Sequence, residues 1–399
     1  MQICKLVLGW LLGATAVLPA LAGAHDRDDD DDRGRSRLEV AAYIRTWPMP
    51  DGRHWRAEDI DGKAITQLNI AFGALRNGGE VYVPAAEPST GPDGKPQPVF
   101  TQLWQEVAKL QRRYPRLKIN LSIGGYGADG FSQMAMTAEG RKRFVDSAVA
   151  LVERHKLSGL GIEWQYPVGP DWGQPIGSDP KDRDNYPLLI EETRAALDAL
   201  SARTHRRYQL TNAVPGGPWF VQKNDLVRVA RSVDYFTVTA YANYGSWSAT
   251  TGHFSNLYPR SDDPAAWSSD QAMRVYTSAG IAPAKLLMGV PFYGPVWTGV
   301  GNGKSGLFQP FKAAAADVSW SEIKAGYLNK AGFVRFWDRE AQVPWLYDGN
   351  TLVSYEDPQS LREKVRYLKA QRLGGLTVWE YAHDPQRELL GAINDEIRD

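Results

Sequence analysis

Eight short runs of apolar and β-branched residues punctuate the chain. They are LEVAAYI (38–44), ITQLNIAFGAL (65–75), LKINLSIGG (117–125), GLGIEWQYP (159–167), YQLTNAVP (208–215), VDYFTVTAY (233–241), KLLMGVPFYG (285–294) and GLTVWEY (375–381). Between them, apolar positions recur at helical spacing in AEGRKRFVDSAVALVERHK (138–156), DRDNYPLLIEETRAALDALSA (182–202) and DPQSLREKVRYLKAQRL (357–373). Strands alternating with helices predict an α/β fold, and eight of them predict a TIM (β/α)8 barrel. An open doubly wound sheet usually has fewer strands and a glycine-rich phosphate turn. The rhythm breaks once, after the seventh run, where a small inserted α+β subdomain is expected over about 297–345.

The run GLGIEWQYP sets the chemical question. Alternation places Leu160, Ile162 and Trp164 on one face, Trp164 toward the helices, and Gly161, Glu163 and Gln165 on the other. The last inward side chain is therefore an amide, with an acid preceding it by roughly 6–7 Å of strand rise. In a (β/α)8 barrel, function collects at the carboxyl ends of the strands. Four such ends carry candidate groups: Ser122 to Gly125, Glu163 to Tyr166, Tyr241 to Tyr244, and Trp379 to Tyr381.

The first 24 residues, with Lys5, an apolar run and small residues before Ala24, predict a secretory signal peptide, too short to span a membrane fully. Residues 25–37 are expected to form an acidic, disordered linker, since six of the seven residues from Asp26 to Asp32 are Asp. The domain proper should then be 38–399. Cys4 lies in the signal and is the chain's one cysteine, so the mature protein has neither disulfide nor thiol chemistry available. With 46 basic and 46 acidic residues, the charge balance argues against a nucleic-acid surface or a membrane patch. Six scattered His residues give no metal-ligand spacing, and GNGKSG (301–306) lacks the pattern and context of a phosphate loop, so no cofactor or metal is expected. Fourteen Trp and 18 Tyr residues leave enough aromatic surface for a groove beyond the core.

The strand ends, taken in order, resemble glycoside hydrolase family 18, the chitinases and chitinase-like proteins. Ser-x-Gly-Gly at 122–125, NIAF at 69–72, Gly-x-Pro-x-Tyr-Gly at 289–294, Trp337-Asp338, SYEDPQSLREKVRYLKAQRLGG from Ser354 and VWEYAHD from Val378 carry the likeness. The family's strand-four signature, Asp-x-x-Asp-x-Asp-x-Glu, falls here on Ser158, Gly161, Glu163 and Gln165, and all four depart from it. Its Met-x-Tyr-Asp becomes Thr239-Ala240-Tyr241-Ala242. The resemblance implies that a single Glu delivers the proton and that the substrate's acetamido oxygen attacks, outside the two-carboxylate scheme. Gln165 has the shape of that Glu without a transferable proton, and losing a general acid typically removes about 10²–10⁴ in rate.

What the resemblance retains is the means of holding a sugar. Trp379 resembles the platform beneath the sugar, and Tyr241 the hydroxyl that contacts the acetamido group. Tyr43, Trp47, Gly125, Tyr166, Tyr244 and Trp297 are candidate contacts, with Tyr126, Trp219 and Trp247 extending the groove. The expectation is a secreted or periplasmic, monomeric chitinase-like protein. It should bind N-acetylglucosamine-containing glycans such as chitin and hydrolyse them poorly. Two alternatives are an active glycosidase using Glu163 as a displaced acid, Glu380 being a weaker candidate, and a protein-binding scaffold with a vestigial groove.

Overall fold

The structure is a computed structural model describing residues 38–88, 96, 99–263, 267–330 and 332–399. The expected signal peptide and linker lie outside these residues. Each of the eight apolar runs contains a strand: β1 (Glu39–Arg45), β2 (Gln67–Arg76), β3 (Lys118–Gly124), β4 (Gly159–Glu163), β5 (Gln209–Pro215), β6 (Tyr235–Thr239), β7 (Leu286–Pro291) and β8 (Gly375–Trp379). Each pairs in parallel with the next, and β8 closes on β1 through Glu39↔Gly375 to Ala42↔Val378. A short antiparallel strand, Glu80–Tyr82, extends β2 as a hairpin.

Strands buried on both faces read as nearly continuous apolar runs, which is why the pattern was so legible. Their outward residues, among them Leu68, Ile70, Leu121, Ile123, Leu160, Ile162 and Val238, join the main core beneath the helices. Leu103–Arg113, Ala138–Arg154, Asp182–Thr204, Ser269–Ser278, Pro358–Gln371 and Glu388–Arg398 are the longer helices of that layer. Their starts are written locally: Thr137 accepts from Gly140 N–H, and Asp357 accepts from Gln359 and Ser360 N–H with Pro358 following. Inside the barrel, the lower layer is polar: Gln67 donates to Asn69 at 2.6 Å, and Asn120 donates to Gln209 at 3.3 Å.

The insertion after β7 is present and larger than expected. Its antiparallel sheet runs in the order Ala313–Ala314, Val296–Thr298, Thr351–Ser354, Val343–Tyr347, Val334–Asp338, with the helix Trp320–Gly326 alongside. The expected span of 297–345 stops short, because Thr351–Ser354 returns to pair with both Val296–Thr298 and Val343–Tyr347. The segment after β6 is bonded to this lobe. Phe254 N–H donates to Ser354 Oγ at 2.8 Å, and His253 Nε2 meets Asp338 Oδ2 at 2.9 Å. Asp338 also accepts from Arg260 Nη1 at 2.5 Å and from the Glu340 and Ala341 N–H groups at 3.0 Å. Burial pushes the Asp338 carboxyl up, but these donors more than offset it and hold the group well below the usual carboxylate range.

Candidate active site

The end of β4 points Glu163 and Gln165 into the barrel mouth. Their side chains meet: Gln165 Nε2 donates to Glu163 Oε1 at 2.7 Å. Strand rise separates the two backbones, but the Glu side chain is long enough to bring its carboxylate up to the amide. The distance expected from alternation therefore overstates the gap between the two functional groups. Trp164, on the opposite face, is buried among helices, stacked on Phe131 with centroids 5.5 Å apart.

Glu163 is partly open to solvent through the mouth yet surrounded by protein. Burial pushes its carboxyl up to about 7, against a small lowering from the Gln165 hydrogen bond. Among the described residues no ion pair reaches it. Tyr43, Tyr166 and Tyr241 each bear on it electrostatically, and each phenol is raised, first by its own burial. For Tyr166 the value is about 12. Tyr43 Oη lies 3.5 Å from Thr237 Oγ1.

Beside these phenols stands an aromatic wall. Trp379 stacks with Phe72 (centroids 5.6 Å, 16° between planes) and leans on Tyr43 at 5.4 Å. Trp47 stacks with Phe72 at 6.4 Å and lies 6.3 Å from Trp379. The two glycines ending β3 make room for this arrangement. A Cβ on Gly124 would sit 2.1 Å from the Glu163 carbonyl, and one on Gly125, at φ +98°, would sit 2.8 Å from the Phe72 ring. Gly125 N–H also donates to the Glu163 carbonyl at 2.9 Å. Tyr166 packs edge-on against Trp219 at 4.8 Å, and Trp172 against Trp219 at 5.7 Å. Tyr126, Trp172 and Trp247, on loops that follow strand ends, are 77%, 77% and 68% exposed.

Two of the candidate contacts lie elsewhere. Trp297 is 0% exposed and Tyr244 5%, both in the core of the inserted lobe with Trp345, Tyr347 and Leu352. Trp297 Nε1 donates to the Gly245 carbonyl at 3.4 Å, and Tyr244 Oη donates to Asp263. A ring enclosed on all sides has no face to offer a sugar, so their part is to fill the core of the lobe. Glu380 is also accounted for. It is fully buried, bonded to Arg45 by an ion pair and by the Arg45 N–H at 3.0 Å, and raised by burial against the lowering from Arg45.

Sequence reasoning missed Phe72, Thr237 and Trp172 as neighbours of the site. Phe72 lies within the quoted NIAF, at a strand end, and its position there was the available signal. Trp172 lies in a loop without periodicity and left none. The positions at which the resemblance expects aspartates, Gly161 and Ala242, also have a structural counterpart. A Cβ on Gly161 would lie 3.1 Å from Thr211 Oγ1 and 3.5 Å from Ser122 Oγ, so Thr211 crowds the place an aspartate would need. Ala242 holds φ +65°, a left-handed conformation that Asp tolerates better than Ala. Among the described residues no group of three His, Cys, Asp or Glu side chains is arranged to hold a metal.

A barrel closed by eight parallel strands, with an antiparallel lobe after the seventh and an aromatic mouth, places the molecule among (β/α)8 barrels with an α+β insertion. The profile of Glycosyl hydrolases family 18 matches residues 39–384, and the chain belongs to that family. It is 27% identical to Chitinase A1 of Niallia circulans, over 98% of this chain and 62% of that one. It is 30% identical to Endochitinase 1 of Metarhizium robertsii, over 90% of this chain and 84% of that one. Among solved structures, a family 18 N-acetylglucosaminidase from Paenibacillus barengoltzii superposes with a TM-score of 0.79 at 32% identity, covering 90% of this chain and 99% of that one. The chain thus spans less than two thirds of the bacterial Chitinase A1.

Proposed function

We propose that this protein is an exported, monomeric chitinase-like protein that binds chitin-type glycans in the barrel mouth and hydrolyses them poorly. The observation that carries the reading is the Gln165–Glu163 contact. The side chain at the strand end, in the family's acid position, is an amide that spends its N–H on the neighbouring carboxylate. The stacked wall of Trp379, Phe72 and Trp47 supports sugar binding, because C–H faces of pyranose rings pack on aromatic planes. The names of the relatives support chitin as the polymer, and export rests on the N-terminal segment.

Proton NMR of N-acetylchitohexaose with the mature protein tests both parts in one tube. Saturation transfer to the sugar with no new anomeric signals over a day is the expected result. Absence of transfer removes the glycan from the proposal. New anomeric signals favour a second reading, for which there is one specific observation: Glu163 reaches the level of Gln165 and titrates near neutrality, as a general acid should. Under that reading, cleavage disappears in Glu163→Gln.

A further inference from the structure

Among the described residues, the carboxylate at the mouth, Glu163, has no ion-pair partner. Glu163 receives one hydrogen bond, from a neutral amide, and its titratable neighbours are phenols from three different elements: Tyr43 on β1, Tyr166 after β4 and Tyr241 after β6. Arg45, at the end of β1, is committed to Glu380 and to His383, whose Nε2 lies 2.7 Å from the guanidinium. Beyond Tyr241, Tyr293 packs edge-on at 6.2 Å with Asp317 bearing on it, and Asp317 too has no ion pair among the described residues. A carboxylate drawn out of water without a partner is unfavourable, and tyrosine faces attract cations. A ligand bringing a positive charge would satisfy both at once.

We propose, resting on the glycan reading above, that the mouth is built for a glucosamine unit whose free 2-ammonium sits between the Glu163 carboxylate and the partly open ring of Tyr241, so that the ligand is a deacetylated or partly deacetylated chitin. An acetamido group at the same place supplies one N–H and no charge, and its acetyl completes the desolvation of Glu163. The two sugars therefore select opposite forms of one side chain. The ammonium is matched by ionised Glu163, and the acetamide by protonated Glu163. Burial sets the balance between those forms near neutrality, so the selection falls within an accessible pH range.

Calorimetric titration of the mature protein with hexa-glucosamine and with N-acetylchitohexaose, at about pH 5.5 and about pH 7, decides the matter. The amine-bearing hexamer is expected to bind about tenfold more tightly than the acetylated one at the higher pH, the gain typical of a charge-assisted contact. The gap should narrow at the lower pH, as hexa-glucosamine weakens and N-acetylchitohexaose strengthens. Glu163→Gln, its folding checked by thermal melting, should bring the affinities of the two ligands together. A preference for N-acetylchitohexaose at the higher pH, or an amine preference that survives Glu163→Gln, overturns the proposal and leaves the chitin reading standing. Binding of neither hexamer overturns both.

Discussion

Glu163 couples the site to the stability of the fold. Its carboxyl is held at about 7 instead of 4.5, so folding favours the protonated form. The contribution is complete below the lower value and is lost as pH rises through the upper one. Glu163→Gln removes that titration. In urea unfolding the variant is expected to match the parent near pH 4 and to exceed it near pH 8 by up to about 3 kcal/mol, the full value of such a shift. A difference independent of pH would refute it. Little of this was legible beforehand. The residues Glu163 and Gln165 were read as neighbours on one face, but alternation counts backbone rise and is silent on how far a side chain reaches. Tyr244 and Trp297 show the same limit in another form. An aromatic residue near a strand end has one sequence appearance whether it walls a groove or fills the lobe behind it.

Between elements, the decisive tie is the one that links β1 to the turn after β8. Arg45 ends the first strand and Glu380 follows the last, so their ion pair clamps the seam where the barrel closes. His383 sits against the same guanidinium. Burial, then the Arg45 charge, lowers its imidazole to about 3, which keeps it neutral and leaves Glu380 as the counter-charge of Arg45 among the described residues. Arg45→Met strands a buried carboxylate and is expected to lose about 3–5 kcal/mol at neutral pH, read as a lower urea midpoint. The double variant Arg45→Met, Glu380→Gln should recover most of the loss. Equal damage from both variants would locate the effect in packing. The strands themselves were legible from sequence because each is buried on two faces, and the helices because only one face is. The clamp was not, since it depends on residues 335 positions apart.

Across the molecule, the barrel and its insertion are joined by the segment that leaves β6. That segment starts with Tyr241 at the mouth and ends in the hydrogen bonds around Asp338. Asp338→Ala leaves His253, Arg260 and two N–H groups without their acceptor, and is expected to cost about 3–5 kcal/mol. Hydrogen exchange should quicken in 251–263 and 334–347 while β1 to β5 keep their protection. Uniform loss everywhere would mean that lobe and barrel unfold as one unit. Since the Asp338 carboxyl lies below its usual range, this bracing is complete above about pH 4 and fails only in acid. The existence of the lobe was legible as a break in strand spacing. Its last strand was not, being four residues long and running straight into the Ser354 segment.

The exposed rings on the loops have a practical use as well. Of the 14 tryptophans, Trp47, Trp172 and Trp247 are the exposed ones among the described residues, and Trp172 and Trp247 stand furthest into water. Buried indoles emit at shorter wavelength and are shielded from collisional quenchers such as iodide, whereas these three are reached by them. A glycan lying across the loops would screen them and leave the interior emission unchanged. The protein thus carries an intrinsic, label-free optical gauge of its own occupancy, blind to the barrel core and tuned to its mouth.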